Sequence, residues 1–309
     1  MTIDAQDLPA FVIDFEATDA TIDAQATEIG YCAVAFSDKG ILNPLHHPQA
    51  MRCKPERPIS YGAMAVTGIC PEDIADKPPH TDVVGYYMPV VPAYIIGHNI
   101  DYDIQVAKNA GVDTSQYKAI CTLAIARKLH PEADHKLGAL LYRFLYEEAR
   151  RYARDAHSAA MDVRFCIQLL RIFCNQAGIT DMQSLYEFSE AARIPEVMPM
   201  GKNKGEKFSE IASTVDGRAY FFWVITDIDD NPYLIQAVQA VLVGSRLKCM
   251  VGNQYFKKGQ DYTIEHFTDR QTLKLKDVEE LISITLYKKA IIATIATASD
   301  GETATFKVI

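Results

Sequence analysis

An α/β layer fold, with a mixed five-stranded sheet flanked by helices and a smaller α+β region after it, is what the sequence predicts. Three observations carry that expectation. The chain opens with three strand candidates separated by turn residues, then alternates short apolar strands with helical patterns, and beyond Val243 becomes rich in Val, Ile and Thr. The order three strands, helices, strand, helix, strand, helices points to a mixed sheet.

Phe11 to Thr18 reads as a short buried strand. Asp19 to Gln25 is polar and makes a turn, Thr27 to Phe36 is a second strand, and Ser37-Asp38-Lys39-Gly40 supplies turn chemistry before a third strand from Ile41 to about Cys53. Pro55 and Pro58 break that run, Ser60 caps a short helix containing Met64 and Val66, and Pro71 opens another helical turn. Ala93 to Gly97 is a compact strand, and the segment His98 to Asp103 opens a helix that Gly111 ends. Ala119-Ile120-Cys121 forms a last short strand, Thr122 starts a helix to about Leu129, and Leu137, Leu140, Leu141 and Phe144 have helical spacing. Met161, Phe165, Leu169 and Phe173 predict a further helix from Ser158 to near Gly178.

The periodicity weakens from Ile179 to Glu196, which reads as a domain connection with one helix around Leu185. Met198 to Lys207 is a basic turn, Phe208 to Leu242 is apolar and aromatic, and the tail reads as strands with a helix near Asp277 to Leu281. These divisions predict segments 1–180, 181–242 and 243–309.

No run of about 20 apolar residues occurs, which excludes a membrane-spanning helix. Met1 to Asp7 is acidic and lacks the basic and apolar parts of a secretory signal, so a cytoplasmic location is expected. Seven cysteines without a Cys-x-x-Cys pair argue against a disulfide framework and a thiolate zinc site. They are expected to be reduced packing residues. A net charge of -9 excludes a general polyanion binder, so contact with nucleic acid has to come from local basic clusters.

The chemistry starts on the first strand. Side chains alternate along a strand, so Asp14 and Glu16 project on one side while Ile13 and Phe15 point to the other. Two carboxylates that close repel each other unless a cation sits between them. Asp103 at one helix start, and His157 with Asp162 at another, complete a set suited to hard divalent ions, which take oxygen ligands.

Asp14-x-Glu16, then His98-Asn99-x-x-Tyr102-Asp103, then His157 with four residues before Asp162, resembles the DEDDh group of 3′-to-5′ exonucleases. Each motif alone is weak; the ordered set is specific. Arg57-Pro58-Ile59-Ser60 with Ala63-Met64, Ile120-Cys121-Thr122, and Gly201-Lys202-x-Lys204-Gly205 followed by aromatics ending in Trp223, are similar to the exodeoxyribonuclease X branch of that family. Beyond about Leu242 no resemblance extends.

The resemblance implies an RNase H-like fold and hydrolysis of nucleoside monophosphates from DNA 3′ ends with two Mg²⁺ or Mn²⁺ ions. It makes Asp14, Glu16, Asp103 and Asp162 the metal ligands, with Asp14 shared by both ions, and His157 the general base. Ala17, Thr18, Asn99, Lys202 and Lys204 become candidate substrate-binding residues. Partners would be DNA with a free 3′ end, and replication or repair proteins. Five residues on a regular helix rotate by about 500°, so His157 is placed in a loop before the helix of Asp162. Phe15 stands where the family often has a small residue, and Tyr102 where Phe is usual.

Plainer readings stand beside these. Asp101 reads as a helix cap, and His46, His47, His80, His98, His130, His135 and His266 read as structural, since none has a paired ligand pattern. Lys202, Lys204 and Lys207 fit either a phosphate grip or a solvated turn. Tyr220 to Trp223 could stack bases, although aromatics amid apolar residues more often form core. Arg150, Arg151 and Arg154 could steer a strand or simply be solvated, and Lys257-Lys258 and Lys288-Lys289 are too sparse to interpret. Two other functions compete with DNA exonuclease: an RNA-trimming exonuclease, and a catalytically silent module binding DNA ends or repair proteins.

Overall fold

The computed structural model describes residues 8–152, 158–227, 231–253, 255–279, 281–287, 290–295 and 303–309. The expectations for Met1 to Asp7, Arg154, His157 and Lys288-Lys289 lie outside the described residues. The chain divides into two units, Met1–Arg193 and Ile194–Ile309.

The first unit is built on strands β1 (Ala10–Ala17), β2 (Ala26–Phe36), β3 (Leu42–Pro44), β4 (Gln49–Arg52), β5 (Ala93–Gly97) and β6 (Tyr117–Cys121). Their order is β3-β2-β1-β5-β6, with β4 also on β2. β1 pairs antiparallel with β2 and parallel with β5, and β5 runs parallel to β6, so the sheet is mixed as expected. The third strand expected over Ile41 to Cys53 is two strands here, giving six rather than five. Pro44 and Pro48 flank the interruption, and proline has no N–H to give to a ladder.

Around the sheet lie α1 (Tyr61–Thr67), α2 (Pro71–Ile74), α3 (His80–Tyr87), α4 (Ile100–Asn109), α5 (Thr122–Leu129), α6 (Leu137–Phe144), α7 (Tyr146–Tyr152), α8 (Ala159–Ala177) and α9 (Met182–Arg193). Their ends follow local chemistry. The Ser60 hydroxyl accepts from the Ala63 N–H at 3.1 Å, and Gly178, at φ 69°, lets the chain leave α8 in the left-handed conformation. α9 packs on α5 and β6, and its buried Ser189 accepts a hydrogen bond from the Cys121 N–H at 2.8 Å. The helix expected around Leu185 is thus part of the first unit. All seven cysteines are free, and all but Cys70 are buried.

β1 separates two cores. Ala10 and Val12 pack with Val163, Phe165 and Cys166 of α8, whereas Ile13, Phe15 and Ala17 pack with Ile100, Val106 and Ala107 of α4. By strand alternation Asp14 and Glu16 continue the row of Val12, on the side that α8 covers. Phe15 anchors the strand from behind, buried to 5% exposure.

The second unit holds α10 (Phe208–Ala212), α11 (Val215–Asp227) and α12 (Pro232–Leu242), then β7 (Arg246–Val251), β8 (Asp261–Phe267), β9 (Thr272–Leu275), β10 (Leu281–Tyr287), β11 (Ala290–Ile295) and β12 (Thr303–Val308). These strands close into an antiparallel barrel in the order β10-β11-β12-β7-β8-β9, which leaves no sheet edge unpaired. Phe208, Phe221, Phe222, Leu234 and Val238 share one core with Leu247, Ile264, Ile282 and Phe306. The helix expected near Asp277 to Leu281 does not form. Asp277 takes a left-handed turn at φ 61° after β9, and Leu281 pairs with Lys274 as the first residue of β10.

One packing detail in the first unit is unusually tight. Gly30 lies opposite Asp14 on β2, and a Cβ at Gly30 would fall 2.3 Å from the Ala159 carbonyl oxygen at the start of α8. Both the strand and the helix turn are backbone there, so neither gives way cheaply. Gly30→Ala should destabilise the protein by about 1–3 kcal/mol, read as a lower urea midpoint at unchanged slope.

Candidate active site

The acidic cluster is assembled by two elements. β1 contributes Asp14 and Glu16, and the first turn of α8 contributes Asp162; carboxylate oxygens of the three lie within 4.8 Å of one another. Glu16 is 9% exposed, while Asp14 keeps part of its surface open.

Asp103 stands just behind this cluster, and the sheet explains how. β5 pairs with β1 only from Ala10 to Val12, so the Phe15 N–H has no ladder partner on that side. The chain leaves β5 at Gly97, turns at Asn99 and enters α4, whose Asp103 takes the place a strand would have filled. Its Oδ1 accepts from the Phe15 N–H at 2.9 Å, and the residue is 3% exposed. Gly97 keeps this corner open, because a Cβ there would lie 2.8 Å from the Ile100 side chain. Asn99 adopts φ 70° and ψ 45°, a left-handed conformation that asparagine tolerates better than most residues.

Glu28 is the functional neighbour that sequence reasoning passed over. It faces Glu16 across β1 and β2, is 7% exposed, and its Oε2 accepts from the Ala159 N–H at 2.9 Å. The residue that precedes α8, Ser158, makes no side-chain cap, so a carboxylate from the sheet caps this helix instead. Arg52 on β4 holds the other oxygen at 3.3 Å. The sequence carried one signal for this: Glu28 is the single charged residue between Thr27 and Phe36, two positions before Gly30. Glu28→Ala leaves the Ala159 N–H without its acceptor and frees the turn bearing Asp162. We expect it to lower kcat about 10–100-fold, with Glu28→Gln, which still offers an accepting oxygen, recovering most of the loss.

Burial pushes the Asp14 carboxyl well above the usual range, and the charges of Asp103, Asp162, Glu16 and Glu28 push it further. Burial, then Asp162 and Glu28, raise Glu16 to about 7. Burial also raises Asp103, against the Phe15 N–H that favours its charged form. The donor set is all carboxylate. Cys166, the sulfur facing this corner through Thr122, is pushed up to about 12 by burial and stays a thiol. Crowded oxygen ligands whose ionisation is suppressed for want of positive charge fit a hard divalent cation.

A sign follows for pH. The folded protein holds protons on these carboxyls that the unfolded chain has lost, so without cation its stability falls as pH rises. For Glu16 the window runs from 4.5 to about 7. In chelator, melting temperatures across this window should fall more steeply for the wild type than for Glu16→Gln. Added Mn²⁺ should raise the wild-type melting temperature increasingly towards the upper end.

Other expected site residues take distinct places. Ala17 belongs to the core around Phe15, and Thr18 is fully buried, its hydroxyl accepting from the Gln25 N–H at 3.1 Å and its carbonyl from the Ser60 N–H at 2.8 Å. Asp101 lies outside the cluster and pairs with Arg193 at 2.7 Å. His98 is held by Thr122 at 3.0 Å and by the His135 carbonyl at 2.8 Å, with burial lowering its pKa, in keeping with a structural role. Lys202 and Lys204 lie in the second unit. His157 lies outside the described residues; α8 begins two positions after it. Among the described residues no helix is long and apolar enough to cross a membrane.

Residues 11–170, just over half of the chain, match the model of a family described as Exonuclease. Exodeoxyribonuclease 10 of Escherichia coli strain K12 is similar, 27% identical over 218 residues that span 71% of this chain and 91% of that protein. DNA polymerase III subunit epsilon of Salmonella typhimurium strain LT2 is 29% identical over 125 residues, 38% of this chain and 50% of the relative. Among solved structures, exonuclease X in complex with 5′-overhanging duplex DNA is 25% identical, covering 58% of this chain and 99% of that one with a TM-score of 0.45.

Proposed function

The chain belongs to the exonuclease family, and on that premise we propose that it is a divalent-cation-dependent 3′-to-5′ exonuclease releasing nucleoside monophosphates from DNA 3′ ends. The observation that carries the reading is the convergence of Asp14, Glu16 and Asp162 within 4.8 Å, with Asp103 fixed against β1 behind them. DNA is favoured over RNA as substrate because the relatives at 27% and 29% identity are a deoxyribonuclease and a DNA polymerase subunit by name.

Asp14, Glu16 and Asp162 would hold two Mg²⁺ or Mn²⁺ ions, with Asp103 joining directly or through water. Bound there, the cations would supply positive charge and Lewis acidity at the scissile phosphodiester. The chain's own groups do the rest. His157, in the segment leading into α8, takes the proton of the attacking water, for which an imidazole with an ordinary pKa of about 6.5 is suited near neutrality. Ala17 and Thr18, packed into the fold at the end of β1, would act on the terminal nucleotide only by holding that end of the strand in place, and exposed Asn99 offers its amide at the mouth of α4.

End-labelled single-stranded DNA, duplex DNA and RNA, each with Mg²⁺, Mn²⁺ or chelator, test substrate and cation together. We expect a ladder shortening from the 3′ end of DNA that chelator abolishes. Asp14→Asn should lower the rate at least about 100-fold. His157→Gln should lower kcat about 100–10,000-fold and remove the acid limb of the pH–rate profile. Undiminished cation-dependent trimming by Asp14→Asn would refute the assignment of this cluster, and preferential trimming of RNA would move the substrate.

A further inference from the structure

The run Tyr220-Phe221-Phe222-Trp223 divides cleanly on α11. Phe221 and Phe222 are buried at 0% and 1% exposure, whereas Trp223 is 41% exposed and Tyr220 is half-buried. Three positions apart on one helix, Tyr220 and Trp223 share a face, and their rings stack with centroids 5.6 Å apart and planes at 29°. Tyr220 keeps one part packed against the core, and Trp223 extends outward from it.

A basic turn lies against this pair. Lys202 Nζ sits 5.3 Å from the centroid of the Tyr220 ring. Gly201, at φ 72°, is where the turn meets Tyr220, since a Cβ there would lie 3.0 Å from the tyrosine hydroxyl oxygen. The turn is held by its own backbone: the Met198 N–H donates to the Glu206 carbonyl at 2.9 Å, and the Gly205 N–H to the Met198 carbonyl at 2.8 Å. Lys202, Lys204 and Lys207 are exposed along it, with Glu206 inside the turn and Glu196 and Glu210 at its two ends. Asp216 and Asp227 stand a turn before Tyr220 and a turn after Trp223, which confines the favourable charge to the lysine turn.

We propose that the Tyr220–Trp223 stack and the lysine turn beside it bind a single-stranded stretch of nucleic acid, bases stacking on the rings and phosphates meeting the lysines. The reading rests on the exonuclease function above and gives it a second point of contact with the strand. Each base has a π-face, so an exposed indole stacks any of them, while a cation within reach of the ring is placed for the phosphate that follows the base. A duplex hides those faces. The chemistry therefore selects unpaired nucleotides and not a particular sequence.

Trp223 is the single tryptophan of the chain and reports on its own occupancy. Full-length Asp14→Asn protein, in chelator and low salt, is titrated with an oligothymidylate while tryptophan emission and the anisotropy of a labelled oligonucleotide are followed. We expect saturable quenching, weakening of about tenfold or more for Trp223→Ala, and near wild-type binding for Trp223→Phe, which keeps a ring. Lys202→Ala should reduce the slope of log affinity against log salt by about 0.7.

Oligonucleotide binding without quenching, an unaltered affinity for Trp223→Ala, or equally tight duplex binding would each overturn the proposal. Hydrolysis of the p-nitrophenyl ester of thymidine monophosphate by the wild type with Mn²⁺ separates the two readings, because that substrate has no strand to stack. Ester hydrolysis without quenching leaves the exonuclease and removes the platform. Quenching without ester or oligonucleotide hydrolysis keeps the platform and removes the exonuclease.

Discussion

The close seating of α8 on β2 is the constraint from which the acidic site follows. At Gly30 the helix start takes the space of a side chain, and two residues away Glu28 accepts from the first amide of that helix. Gly30 is also the partner of Asp14, and Glu28 the partner of Glu16. The same two rungs of the ladder therefore set both the strand carboxylates and the helix that brings Asp162 to them. A longer strand side chain at residue 30 would lift that helix, and the third carboxylate with it.

The arrangement works against folding where it serves chemistry. Asp14, Glu16 and Asp103 are drawn into protein with Asp162 and Glu28 close by, and burial with mutual repulsion holds all three above their ordinary range. Two features offset this within the chain. The Phe15 N–H stabilises the Asp103 carboxylate, and Glu28 is held by a hydrogen bond from the Ala159 N–H and an ion pair with Arg52. Such a site is unfavourable when empty of positive charge and favourable when supplied with it, so cation affinity and metal-free stability trade against each other.

Much of this was legible from the sequence because its signals are local. A strand period of two put Asp14 and Glu16 on one face, and Gly178 and the apolar spacing fixed α8. The acids were recognisable as a set through their order. What escaped depends on tertiary contact. Glu28 looked like any residue of a strand, and only the approach of α8 from far along the chain makes it a cap. The division of Ile41 to Cys53 into two strands turned on prolines that were visible, but both halves still pair with β2, which periodicity does not report. Asp277 to Leu281 has ordinary helical composition, and a left-handed residue closing a barrel turn overrides it. In α11 the four aromatics read as one block, although helical rotation buries Phe221 and Phe222, leaves Tyr220 half-buried and exposes Trp223.

Asp103 shows how the sheet fixes an acid beside the cluster. One of its oxygens accepts from the Phe15 N–H, the amide left bare where β5 stops pairing with β1. The other lies towards Gly97, 3.5 Å from where a side chain on that residue would begin. The bond from Phe15 fixes the Asp103 carboxylate against β1, while each of its oxygens keeps a lone pair to accept with. Asp14, Glu16 and Asp162 converge in front of it, with carboxylate oxygens within 4.8 Å of one another. The site thus divides its acids into three that gather around a common point and a fourth pinned to the strand behind them. The end of parallel pairing after Val12 is what creates that division.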